Sequence, residues 1–272
     1  MRRVLTAAVL APLALALVLF GPKWLITLVV AAVAMLAGWE FLSLAERCGA
    51  KPPRFAVMAA LAVLFVGNYQ WPDQTLILLS GLCLSLFACC TFRTPVERVL
   101  IDSCSSVFAL IYVGLTLLAL PTLREQSNGP SLVIFLLFVV WSGDITALYV
   151  GRLWGKKKLA PAISPNKTWV GAVGSVLGSM LVTVGLYWLS LQLVQWNFTK
   201  LSFADEAWWW WLAMAVVVNV AAQVGDLAES ALKRSAGMKD SGSLLPGHGG
   251  VLDRIDALLI AAPVLWWAQV IR

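Results

Sequence analysis

Apolar residues in this chain come in long runs broken by short polar stretches. Nine runs can be traced, at about 4–20, 24–44, 55–70, 74–92, 99–121, 131–150, 170–195, 207–231 and 255–271. A helix needs about 20 apolar residues to cross the hydrocarbon layer, and inside lipid the backbone must satisfy its own hydrogen bonds. The pattern therefore predicts an all-α, polytopic integral membrane protein with about nine transmembrane helices. No polar segment is long enough to fold as a separate soluble domain. Residues 1–130 are expected to form an N-terminal transmembrane scaffold and residues 131–272 a C-terminal catalytic region, together one continuous membrane domain.

The polar stretches fix an orientation. With the N-terminus cytoplasmic, sixteen of the 20 lysines and arginines fall on the cytoplasmic side, and only Lys23, Arg124, Lys200 and Arg272 fall outside. That asymmetry satisfies the positive-inside rule. The basic, apolar N-terminus reads as an uncleaved first span, not a cleaved signal peptide, because the charge pattern works with the span kept. The run WWWW at 208–211, following Trp196, fits an aromatic belt at the outer face. Composition agrees: 12% of residues are charged, against about 25% in a soluble domain. The five cysteines show neither CxxC nor Cys/His spacing and read as small buried hydrophobes.

Against this apolar background, ionisable groups at membrane depth are costly and mark function. In NVAAQVGDLAESALKRSAGMKD, residues 219–240, Asn219, Gln223, Asp226, Ser230 and Lys233 recur every three or four positions. On a helix they form one stripe with Glu229 at its edge. A polar seam that joins helices would show the same spacing, but carboxylates and cations near one end exceed what a seam requires. In VLDRID, Asp253 and Asp256 share a face at the start of the last run. Paired carboxylates suit Mg²⁺, which takes one or two of them plus substrate phosphates. They would equally suit a helix start, where the dipole favours negative charge.

Between these helices lies PGHGG, with His248, Gly249 and Gly250. Glycines let backbone amides close on an anion, and the histidine reads as a phosphate contact or proton carrier. A third piece, WSGDITALYVGRLWGKKKLAPAISPNKTWVG at 141–171, places Asp144 late in an apolar run. Ser164, Lys167 and Thr168 stand just before the next run, an arrangement suited to phosphate at a helix start. Lys156, Lys157 and Lys158 read as topology and lipid attraction. Walker A, GxGxxG and HExxH are absent from the sequence, and there is no serine elbow.

The run from Ser230 to Asp256, SALKRSAGMKDSGSLLPGHGGVLDRID, closely resembles the signature of phosphatidate cytidylyltransferases, also called CDP-diacylglycerol synthases. It supplies Ser230, Lys233, Arg234, Lys239, Asp240, His248, Gly249, Gly250, Asp253, Arg254 and Asp256 in register. The resemblance extends to GRLWGKKKLAPAISPNKTWVG and VGDLAES, about the last 140 residues. In the first half only Trp39–Glu40 matches beyond hydropathy. Departures from the pattern are Asn166, Val170 and the SGDITA run around Asp144.

The resemblance implies transfer of a cytidylyl group from CTP to phosphatidate, giving CDP-diacylglycerol and pyrophosphate. It implies Mg²⁺ and, in some members, a monovalent cation such as K⁺. It also implies a homodimer in the bacterial cytoplasmic (inner) membrane with its active site facing the cytoplasm. The partners are then CTP, phosphatidate and membrane lipids, with no nucleic acid. Under this reading Asp226 and Asp253 lead as metal ligands, with Asp256 next and Asp144 and Glu229 in reserve. Asp226, Asp253, Asp256, Lys233 and His248 would be catalytic. Ser164, Lys167, Thr168, Ser230, Arg234, Lys239, Asp240, Gly249, Gly250 and Arg254 would bind substrate. A CTP-dependent lipid-alcohol kinase remains a rival, as does a transporter whose pathway the stripe lines. A CDP-alcohol phosphotransferase is disfavoured because its DGxxAR segment is missing.

Overall fold

The computed structural model describes residues 2–242 and 249–271, and each of the nine apolar runs lies in helix. Helices α1 (Arg2–Phe20), α2 (Lys23–Arg47), α3 (Arg54–Gln70) and α4 (Thr75–Arg93) come first. One rod, Val96–Arg124, follows. In it α5 (Val99–Ala109) and α6 (Thr116–Arg124) are joined by a π-helical turn at Leu110–Leu115. Then come α7 (Gly129–Trp154), α8 (Trp169–Gln195), α9 (Trp208–Ser235) and α10 (Leu252–Val270). Proline positions several of the starts: Pro22 and Pro53 immediately precede α2 and α3, and Pro130 sits in the first turn of α7. There its missing N–H is no loss.

Six of these helices are long and apolar enough to cross a membrane: α2, Pro72–Arg93, the Val96–Arg124 rod, α7, α8 and α9. Apolar helices at Ala11–Phe20 and Arg54–Gln70 are shorter, and α10 has 19 residues.

The basic stretch between α7 and α8, which reads as a loop in sequence, contains a small hairpin. Strand β1 (Lys158–Ala160) pairs antiparallel with β2 (Ser164–Thr168), Lys158 opposite Thr168 and Ala160 opposite Ser164. Pro161 opens the turn between them, with its φ already set for that position. Two strands this short give no periodicity to read.

Buried side chains gather in two cores. One unites α7, α9 and the inner face of α10 around Phe135, Leu136, Trp211, Ala261 and Leu265. The other unites α2, α3, α5 and the π turn around Leu42, Leu61, Leu64, Leu110 and Leu117. Helix α10 serves both, giving Ala257 and Ala261 to the first core and Leu252 and Leu259 to the second. Helix α6 does the same, with Leu123 in one and Leu117 in the other.

The tryptophan run divides by helical geometry. Trp208 and Trp209 are exposed, as an interfacial belt requires, whereas Trp211 is buried. Four consecutive helical residues sweep most of a turn, so one of them must face inward. The Trp211 ring meets Phe203 and Phe135 edge-on, centroids 4.6 and 5.0 Å away, and its Nε1–H donates to the Phe203 carbonyl at 3.0 Å.

Candidate active site

The polar stripe on α9 has two halves with different partners. In the first, Asn219 Nδ2 donates to Ser179 Oγ at 2.8 Å and Ser175 Oγ at 3.0 Å on α8. Gln223 Nε2 donates to Asn219 Oδ1 at 2.7 Å and to the Ala172 carbonyl at 3.2 Å. Ser179 Oγ in turn reaches the Val139 carbonyl of α7 at 2.7 Å. These bonds join three helices, as small and amide side chains do in lipid.

From Asp226 onward the partners are charged. Asp226 pairs with Lys167 of β2 at 2.5 Å, and both are partly exposed. They line a cavity of about 690 Å³ between the ends of α7, α8 and α9, the hairpin covering one side. Its wall also carries Asp144, Arg152, Lys158 and Ser164, so anions and cations face each other across one space. Thr168 lines it too, but its Oγ1 accepts the Gly171 N–H at 3.1 Å and caps α8. That bond holds the end of β2 on the helix start. Arg234 reaches the same hairpin from α9, Nε donating to the Ile163 carbonyl at 3.3 Å.

A turn further along α9 lies a second, buried cluster. Lys233 Nζ sits 2.5 Å from Glu229 and 2.6 Å from Asp253 Oδ1. Glu229 is wholly buried. The other Asp253 oxygen, Oδ2, accepts from Gly250 N at 2.8 Å, Ser241 N at 2.9 Å and Ser241 Oγ at 3.0 Å. Asp253 thus draws the ends of the loop together and anchors them to α9. Gly249 has φ +79°, and a Cβ there would stand 2.7 Å from Asp253 Oδ2, so both backbone and space require glycine. Lys239 and Asp240 are exposed beside this turn, and Ser230 is half-buried on α9. His248 lies outside the described residues.

The two clusters meet where α9 crosses α10. A Cβ on Gly225 would lie 2.6 Å from the Asp256 carbonyl and 3.3 Å from Ala257 Cα. Glycine there lets the backbones touch and brings Asp256 within electrostatic reach of Asp226, Glu229 and Asp144. Gly225→Ala is expected to separate the helices at a cost of about 1–3 kcal/mol. Turnover should then fall further than the loss of folded protein explains, checked by assaying the monodisperse fraction.

Two side chains from the first half also reach this place. Glu40 of α2 is buried and accepts from Ser241 Oγ, Val251 N and Leu252 N at 3.1, 3.0 and 2.8 Å. Tyr112, on the π turn, is buried against Phe108 and Phe41, and its phenol lies within electrostatic range of Glu229 and Asp256. π turns of this kind often mark functional places. A lone carboxylate inside the apolar run at 24–44 was the available signal for Glu40; nothing in the spacing marks Tyr112.

Among the described residues no group of three or more His, Cys, Asp or Glu side chains is already gathered as a metal cage. Mg²⁺ does not ask for one, since it keeps several waters and takes one or two carboxylates together with substrate phosphates. Asp226 and Asp144 on the cavity wall, with Asp256 behind them, meet that requirement in donor type.

A model of the cytidylyltransferase family matches residues 1–271. A phosphatidate cytidylyltransferase of Pseudomonas aeruginosa is 37% identical over 279 residues, covering 98% of this chain and 97% of that protein. One from Brucella abortus is 44% identical over 162 residues, 58% of this chain. The chain spans about half the length of that Brucella relative in the match, 54%. One from Staphylococcus saprophyticus is 38% identical over 164 residues, 60% of this chain and 58% of that protein.

Proposed function

The chain belongs to the cytidylyltransferase family, and from that premise we propose that it transfers the cytidylyl group of CTP to phosphatidate, releasing pyrophosphate and forming CDP-diacylglycerol. The observation that carries the reading is the mixed-charge cavity, where Lys167, Arg152 and Lys158 share a wall with Asp226 and Asp144. Its volume falls within the range of small-ligand sites, about 300–1,000 Å³. A triphosphate needs the cations; the carboxylates would repel it unless a metal stood between.

In this reading the attacking group is a phosphatidate oxygen, already charged at neutral pH, so no strong base or covalent intermediate is required. The bond formed joins that oxygen to the α-phosphorus of CTP, and the α–β phosphoanhydride bond breaks. Catalysis then rests on positioning and charge neutralisation. Lys167, Arg152 and Lys158 hold phosphates, with Ser164 donating from the hairpin. Asp226 and Asp144, with Asp256, are the carboxylates placed to hold Mg²⁺, which when bound neutralises charge on the leaving pyrophosphate. Asp253 is enclosed by donors on both oxygens and sets the loop that Gly249 and Gly250 belong to. The place of K⁺ stays with the same carboxylates.

The wider reading completes nine spans, α1, α3 and α10 crossing together with the six longer helices. The N-terminus and cavity face the cytoplasm at the bacterial inner membrane, and two copies form a homodimer. Phosphatidate would bring its headgroup to the cavity from the inner leaflet, its acyl chains remaining among the helices.

The test uses purified protein in detergent with phosphatidate, Mg²⁺ and CTP labelled at the α-phosphorus. Label entering the lipid phase, matched by pyrophosphate, is the expected result. Label confined to soluble CDP while a polyprenol is phosphorylated would replace this reading with the kinase.

A further inference from the structure

Helix α10 begins without a cap of its own. Val251, its N-cap residue, offers no side-chain acceptor, and the first N–H groups of any helix lack partners within it. The acceptor comes instead from far away in sequence. Glu40 Oε1 takes the Val251 N–H at 3.0 Å and Oε2 takes the Leu252 N–H at 2.8 Å. Oε2 also accepts Ser241 Oγ at 3.1 Å. Glu40 is 3% exposed, so these bonds replace its water, and the positive end of the helix favours its charge.

The surroundings are shaped to this carboxylate. A Cβ on Gly250 would collide with Glu40 Oε2 and Ser241 Oγ, and one on Gly242 would stand 2.5 Å from Glu40 Oε1. Both sides of the loop therefore close around Glu40. Ser241 is shared: its Oγ lies against Glu40 on one side and Asp253 Oδ2, at 3.0 Å, on the other. Asp253 continues the network to Lys233 at 2.6 Å. Glu40 thus stands at the far end of a hydrogen-bonded chain leading to the charged groups of α9.

We propose that Glu40 is a positioning residue for the reaction: by capping α10 from α2 it sets the height and rotation of the helix that carries Asp253 and Asp256. The role rests on the cytidylyl-transfer reading above. It makes the first half of the chain part of the catalytic apparatus. Glu40 touches neither the cavity nor any reacting atom and acts through the α10 start and Ser241. Glutamine in its place keeps the shape but turns one acceptor into a donor facing an N–H.

The experiment compares full-length wild type, Glu40→Gln, Glu40→Asp, Ser241→Ala and the Glu40→Gln/Ser241→Ala double variant in detergent. Two readouts are taken: CTP turnover with phosphatidate, and hydrogen exchange over residues 249–256. Glu40→Gln is expected to exchange faster at 249–256 while α2 and α9 stay protected. Its turnover should fall about tenfold or more at saturating CTP and Mg²⁺, in keeping with the cost of small misplacements. Glu40→Asp should recover part of that loss. The double variant should lose less than the product of the single losses, because both changes break one network. Turnover within about twofold of wild type despite faster exchange would overturn the proposal. So would a turnover loss equal to the loss of folded, monodisperse protein, which is what a purely structural role gives. If wild type itself moves no label into lipid, the cytidylyl-transfer reading falls and the positioning role with it. An active wild type with an unaffected Glu40→Gln sinks the positioning role alone.

Discussion

Replacing Lys233 by methionine is expected to cost about 3–5 kcal/mol and to lower the thermal midpoint in detergent by about 10 °C. Lys233 is the cation between two carboxylates, 2.5 Å from Glu229 and 2.6 Å from Asp253, with side chains 13%, 0% and 9% exposed. Methionine fills the space but strands the buried Glu229 charge and strips the cation from Asp253 Oδ1, while Oδ2 keeps its donors from Gly250 and Ser241. The sign of a second change separates this from lost packing. Adding Glu229→Gln removes the stranded charge, so the double variant should be more stable than Lys233→Met alone. Packing loss alone would make it no better. The exposed pair Lys23–Glu125, with side chains 40% and 35% exposed, supplies the contrast. There Lys23→Met should cost less than about 1 kcal/mol. Midpoints for all three variants, read by tryptophan fluorescence, decide the matter; a Lys233→Met midpoint equal to that of Lys23→Met would dismiss the buried-pair account.

What the sequence makes legible follows from what lipid demands. Whole apolar helices are obligatory, so α1 to α10 lie under the nine runs with ends shifted by a few residues. The Lys158–Thr168 hairpin escapes because strands of three and five residues are too short to alternate recognisably. Within the stripe on α9, spacing puts Asn219, Gln223, Asp226 and Lys233 on one face. It says nothing about which helix that face meets. The first two meet serines and a carbonyl of α8 and act as glue; the last two meet Lys167 and Asp253 in the two charged clusters. The same limit hides what Glu40 meets, since its partners at 241, 251 and 252 lie some two hundred residues away. Asp253 and Asp256 share the start of α10, as their spacing indicates, yet their surroundings differ. One is wrapped by Lys233, Ser241 and Gly250, and the other accepts the Ala257 N–H within electrostatic range of Asp226. Only packing separates an organiser from a candidate ligand.

Asp226→Asn tests the candidate ligand directly, and turnover is expected to fall about a hundredfold or more while the fold survives. The substitution is isosteric, and although the Lys167 Nζ is itself buried, its side chain is 26% exposed and the asparagine oxygen can still accept from the ammonium. Stability should therefore fall by less than for Lys233→Met. Binding gives a sharper sign. Without Mg²⁺, wild-type Asp226 competes with CTP phosphates for Lys167 and repels them, so Asp226→Asn should bind CTP at least as tightly as wild type. With Mg²⁺ the order should reverse, because only the carboxylate joins metal and nucleotide in one complex. Equilibrium dialysis of labelled CTP at several Mg²⁺ concentrations measures both arms. Crossing of the two binding curves as Mg²⁺ rises would place Asp226 between metal and phosphate. An Asp226→Asn protein whose CTP affinity and turnover still rise with Mg²⁺ as in wild type would hand the metal to Asp144 and Asp256. It would leave Asp226 the smaller task of holding Lys167 against the hairpin until a phosphate takes its place.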